Sequence, residues 1–147
     1  MRSRLTTEAP ARTFVVVFDP GEEVMAGLGA LAASESLEGA SVAAIGALRS
    51  AELAYFDAEA KQFVDVLVGE PVEVLSLTGT IGRRETAPAL HLHTVLGRRD
   101  GSTVGGHVKQ AVVGPTLEVV VTDLGRRLDR RLDESVGLPV IVFDAAG

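Results

Sequence analysis

Cysteine and tryptophan are absent from this chain, and its only aromatics are five phenylalanines and one tyrosine. Without cysteine there is no disulfide, no thiolate nucleophile and no Cys-ligated zinc. A chain free of disulfides suits a reducing compartment, and a cytoplasmic location is expected. With so few rings, the core must be assembled from Val, Leu, Ala and Ile, a composition that favours strands. Long apolar runs are missing as well. Nothing approaches the roughly eighteen consecutive apolar residues of a membrane span. The N-terminal "MRSRLTTEAPART" is basic but has no apolar stretch, so it is not expected to act as a signal peptide.

Positive charge is also in deficit, the formal net charge being −6. An acidic body repels phosphate backbones unless it carries a separate basic stripe. Twelve of the fourteen cations are arginine, several of them paired: Arg83-Arg84, Arg98-Arg99, Arg126-Arg127 and Arg130-Arg131. Such pairs read as solvated turn and edge residues. Direct nucleic-acid binding is not expected.

Against these absences stands a clear pattern of elements. Residues 1–11 read as a polar, flexible tail, and 12–147 as one domain of ordinary size. "TFVVVF" (13–18) is a β-branched run bounded by a turn, hence a strand. Asp19, Pro20 and Glu22 have capping-box spacing, and Val24, Leu28, Leu31 and Ala32 recur at helical intervals to about Leu37. Inside that helix, "GLGALA" (27–32) mimics a dinucleotide-binding fingerprint. The fingerprint needs its glycines between strand and helix, so here they are expected to let the helix lie close to a sheet.

Strands are predicted at 40–48, 51–57, 62–68 and 71–82, followed by a loop, "RRETAP". "ALHLHTVLG", "TVGGHVKQAVV" and "TLEVVVTDL" come next, and a final hairpin turns near Glu134 to Gly137. The fold class is α+β, with a largely antiparallel sheet and one main amphipathic helix.

All three histidines of the chain, His91, His93 and His107, fall within seventeen residues. In "LHLHTVL", the spacing of two puts His91 and His93 on one strand face. Leu90, Leu92, Thr94 and Leu96 take the other, which can bury against the helix. The position of His107 depends on the turn. If "RDG" (99–101) is a three-residue loop with Gly101 left-handed, Arg98 pairs with Ser102 and His93 with His107. All three rings then converge. If "DG" alone forms the loop, His107 flips to the other face unless Gly105-Gly106 bulges. Glycine at both positions leaves open space beside the site.

Three converging neutral imidazoles are the ligand set of an open zinc site; nickel, cobalt or iron could use the same nitrogens. Glu118 on the next strand and Glu85 in the preceding loop are candidate carboxylates to orient the rings. The candidate catalytic groups are Lys109, two residues beyond His107, to hold an anionic substrate, and Glu118 as a general base. The competing reading makes the histidines surface or interface residues with ordinary hydrogen bonds. H-x-H with a register-compatible third histidine favours the metal.

"GALRSAELAYFD", "VEVLSLTGTI", "LHLHTVLGRRDGSTVGGH" and "LEVVVTDL", in this order, resemble the plants and prokaryotes conserved (PPC) domain over about residues 13–143. The resemblance implies an α+β fold, a largely antiparallel sheet and a homotrimer. It maps the family's histidines onto His91, His93 and His107, where some prokaryotic members hold zinc. The fold is also similar to that of acetolactate decarboxylase, whose metal is held by a histidine cluster. That is a likeness of fold and transfers no activity. Plant members carry AT-hooks that bind DNA. This chain has no Arg-Gly-Arg-Pro core, so that role does not carry over. Arg49, Tyr55 and Phe56 occupy family-like positions with no chemistry assigned. Two function classes result. One is a stand-alone metal-binding domain, enzyme or not, with a small-molecule or protein partner. The other is a trimeric assembly or regulatory module whose metal is structural or absent.

Overall fold

A computed structural model describes residues 12–143; the tail predicted at 1–11 lies outside the described residues. Among the described residues, eight strands and one helix follow in the order β1 (Thr13–Phe18), α1 (Val24–Ser34), β2 (Ala40–Asp57), β3 (Gln62–Val68), β4 (Val72–Arg84), β5 (Ala87–Gly97), β6 (Thr103–Asp123), β7 (Asp129–Asp133) and β8 (Leu138–Val142). Every ladder is antiparallel except a single parallel contact, Arg83 with Asp129, that joins β7 to β4. The predicted class therefore describes the fold: mostly sheet, with one helix.

Alternation builds the sheet and its irregularities keep the apolar face inward. In β4, Val72 and Val74 are buried, a register shift follows, and Leu77 and Ile81 are buried in turn, with Leu75 left exposed. The strands β2, β6, β5 and β4 pair in a closed circuit, β2 with β6, β6 with β5, β5 with β4, and β4 with β2. β1 joins the C-terminal half of β6, β3 extends the C-terminal half of β2, and the β7–β8 hairpin hangs from β4. The core gathers Leu53, Leu77, Ile81, Leu92, Leu96, Leu117 and Val119 from the strands and Val24, Leu28 and Ala32 from α1.

Three predictions need correction. The strands expected at 40–48 and 51–57 are one strand, and so are the two expected on either side of Gly114-Pro115. Each runs through local register shifts while continuing to pair. The helix starts four residues later than its capping-box signature suggests. Glu22 N donates to the Asp19 carbonyl at 3.2 Å and Asp19 N to the Glu22 carboxylate at 2.7 Å, which makes a turn. Gly21, at φ +92°, and Glu22 then pair with Val113 of β6, so their backbone is committed to the sheet. Glu23 becomes the cap instead: its carboxylate accepts from Met25 N at 3.1 Å, Ala26 N at 2.7 Å and Ala111 N at 3.0 Å. At its other end the helix stops at Ser34, short of Leu37, because Ser36 turns left-handed at φ 54°. Of the two helical glycines, Gly27 has the Phe18 ring where a Cβ would stand, whereas Gly29 faces open space.

Candidate metal centre

The β5–β6 turn decides the geometry of the histidines. Gly101, at φ +83°, donates its N–H to the Arg98 carbonyl at 3.0 Å, and Arg98 N donates to the Ser102 carbonyl at 2.8 Å. The loop is thus the three-residue one, Arg99-Asp100-Gly101. The Asp100 carboxylate accepts from Ser102 N at 2.9 Å and Ser102 Oγ at 2.6 Å. Those bonds, the hydroxyl first, hold its pKa below the usual range. Counting inward from this turn, His93 stands opposite His107.

Leu92, Thr94 and Leu96 are buried on the opposite face, so the rings have no choice but to project outward. Ring centroids lie 5.1 Å apart for His91 and His93, 5.2 Å for His91 and His107, and 5.5 Å for His93 and His107. One nitrogen from each ring lies within 4.8 Å of the others. Gly105 and Gly106 do not leave open space there. A Cβ on either would stand 2.8 Å from a neighbouring carbonyl oxygen, that of Thr94 or Ala54. The two glycines let three strands approach closely around His107.

Burial, followed by the charge of Arg130 and the two neighbouring rings, pushes His91 down to about 4. Burial, then His93 and Arg130, lowers His107 also. Both rings are therefore neutral at pH 7, with lone pairs available for a metal.

The donor set fits such an ion. The Nε2 atoms of His91 and His93 are 3.2 Å apart. Two nitrogens each about 2.0–2.1 Å from a tetrahedral zinc would be separated by about 3.3 Å. Among the described residues no carboxylate joins the group.

Beside the rings opens a pocket of about 790 Å³, lined by Tyr55 and Phe56 of β2, Phe63 of β3, Leu90 of β5, Arg130 of β7 and Leu138 of β8, among others. The Phe63 ring centroid is 5.3 Å from that of His107. The pocket needs both sheet extensions, β3 on one flank and the β7–β8 hairpin on the other.

The profile of the Plants and Prokaryotes Conserved domain matches residues 5–125. The chain belongs to that family. Solved structures of similar proteins include a metal-containing protein from Archaeoglobus fulgidus, 32% identical over 96% of this chain and 100% of that one, with a TM-score of 0.88. A plant- and prokaryote-conserved protein from Pyrococcus horikoshii is 26% identical over 92% and 94% of the two chains, TM-score 0.84. A candidate DNA-binding protein from Bacteroides thetaiotaomicron is 28% identical over 90% and 93%, TM-score 0.87. A Staphylococcus aureus protein similar to alpha-acetolactate decarboxylase shares the fold alone, at 15% identity and a TM-score of 0.51. No curated protein matches the sequence significantly.

Within this Plants and Prokaryotes Conserved domain, the other predicted site residues stand apart from the pocket lining. Lys109 is ion-paired to Glu52 and, at 2.9 Å, to Asp65; these bonds raise its pKa. Glu118 lies eleven residues beyond His107 on β6, exposed, opposite Val17 and Ile45. Glu85 occupies the β4–β5 turn at φ 56°, and its carbonyl faces Arg127 at 3.4 Å. Tyr55 and Phe56, without assigned chemistry in the sequence, both line the pocket, whereas Arg49 does not.

Sequence reasoning missed Arg130. Hydropathy would bury Leu132 and expose Arg130, whereas Arg130 is 9% exposed and Leu132 57%.

Proposed function

We propose that this chain binds a divalent transition-metal ion, zinc being the first to test, through His91, His93 and His107, and that the adjoining pocket receives a small molecule. The observation that carries this reading is the convergence of three ring nitrogens at the wall of a large pocket. The metal-containing relative from Archaeoglobus fulgidus supports it. Three protein ligands without a fourth are the donor count of catalytic rather than structural zinc. When bound, such an ion acts as a Lewis acid and lowers the pKa of coordinated water to about 7. This chain's own residues supply the rest. The hairpin positions the rings, and Phe56, Phe63 and Leu138 give the adjoining pocket apolar walls. The purified protein is expected to carry about one metal ion per chain by elemental analysis, and His93→Ala to lose it. Metal-free protein from metal-replete medium would overturn the reading.

A second reading, self-association as a homotrimer, rests on the family resemblance and on one surface. Val15 pairs with Val120 and Val17 with Glu118, which also faces Ile45. Val15, Val17, Ile45 and Val120 are therefore neighbours on one face, all exposed. The two readings are compatible. DNA binding is not part of the proposal, given the net charge of −6.

A further inference from the structure

The pocket beside the histidines differs in charge from the rest of the molecule. The chain as a whole carries −6, yet Arg84 and Arg130 line this pocket and, among the described residues, no Asp or Glu does. Arg130 is nine-tenths buried. Its Nη2 donates to Thr80 Oγ1 at 2.8 Å and its Nη1 to the Pro139 carbonyl at 3.4 Å, while its Nε has no partner among the described residues. None of the ion pairs among the described residues includes it. Thr80 is the cross-strand neighbour of His91, so the guanidinium is anchored next to the ring cluster. Arg130 also lies beyond residue 125, where the family match ends.

A buried guanidinium without a counter-ion is costly, and its planar fork matches a carboxylate. The imidazole rings bring no negative charge to balance it, and a metal dication would add to the positive charge. The remaining walls are mostly apolar, with Phe56, Phe63, Leu90, Leu138 and Pro139. The volume, about 790 Å³, falls within the range of small-molecule sites.

We infer that the pocket takes a small carboxylate with an apolar body, its carboxylate paired with Arg130 and its body against Phe56, Phe63 and Leu138. The inference rests on the proposed metal site in one respect. An oxygen beside the carboxylate would reach the histidines, which makes 2-hydroxy- and 2-oxocarboxylates the fitting class. A phosphate ester is the less suited anion, because an apolar lining offers few donors for a dianion.

Isothermal titration of the zinc-loaded full chain with 3-phenyllactate, its neutral amide and phenyl phosphate tests this. The acid is expected to bind at least tenfold more tightly than the amide and more tightly than the phosphate. Arg130→Met is expected to weaken the acid about tenfold to a hundredfold with metal content unchanged. Arg130→Lys, which keeps the charge but not the fork, should fall between. Equal binding of acid and amide, no binding of the acid, tighter binding of phenyl phosphate, or an unaltered affinity in Arg130→Met would overturn it. The three-ligand comparison on the unmutated protein stands even where Arg130→Met fails to fold. In metal-free His93→Ala the preference for acid over amide is expected to persist, more weakly. Failure of the metal reading and failure of the carboxylate reading are thereby measured separately.

Discussion

His91 is neutral in the folded chain at a pH where free histidine would be half charged, and His107 is shifted in the same direction. The pKa of His91 falls from 6.5 to about 4, and that of His107 is also lowered. Between about 4 and 6.5 the unfolded chain therefore holds a proton at His91 that the native chain does not, and His107 acts in the same direction. By linkage, unfolding takes up protons in that window, so stability falls as pH drops through it and is fully present above 6.5. Thermal unfolding of the metal-free protein is expected to show a midpoint that declines from pH 6.5 towards 4. His91→Gln should flatten that decline. The residues of the cluster were legible because period-two spacing and a recognisable turn are local. Arg130 was not legible, since its burial depends on packing beside β4, nearly fifty residues earlier in the chain.

The β5–β6 hairpin is the element that converts three histidines into one site. Its three-residue loop was one of two registers open to the sequence, and the bonds of Arg98 with Gly101 and Ser102 select it. A one-residue slip turns every side chain of a strand to the opposite face. Inserting one alanine between Asp100 and Gly101 should therefore move His107 away from His93. Metal content is expected to fall to that of His93→Ala although all three histidines remain. Unchanged metal content would show that the loop does not set the register. The start of α1 teaches the complementary lesson. Asp19, Pro20 and Glu22 satisfy a helix-start pattern, yet β6 claims the backbone of Gly21 and Glu22, and Glu23 caps the helix.

Across the whole molecule, the closed strand circuit supports the site from behind. Leu92, fully buried on the reverse face between His91 and His93, ties the hairpin to the core. Leu92→Ala is expected to cost about 2–5 kcal/mol in denaturant-induced unfolding. Loss below about 1 kcal/mol would mean that the core collapses readily around the gap. On the outer face, Val17 and Ile45 flank Glu118. If this surface joins copies of the chain, Val17→Glu with Ile45→Glu should reduce the mass seen by light scattering to that of one chain, 15.3 kDa. An oligomer of undiminished mass would place the contact elsewhere. Among the described residues, no helix is long and apolar enough to cross a membrane.

The class of fold, the order of most elements and the three candidate ligands were readable along the chain. Each of these follows from alternation, turn chemistry or spacing within a few residues. Packing across the sheet set which register the hairpin takes and where α1 begins. It also decided what stands around the rings. Lys109 is engaged by Glu52 and Asp65, and Glu118 sits on another part of β6. The pocket is closed instead by Phe63 and Arg130, from strands distant in the chain. Such neighbours are brought together by strand order in a closed circuit, which no local pattern encodes.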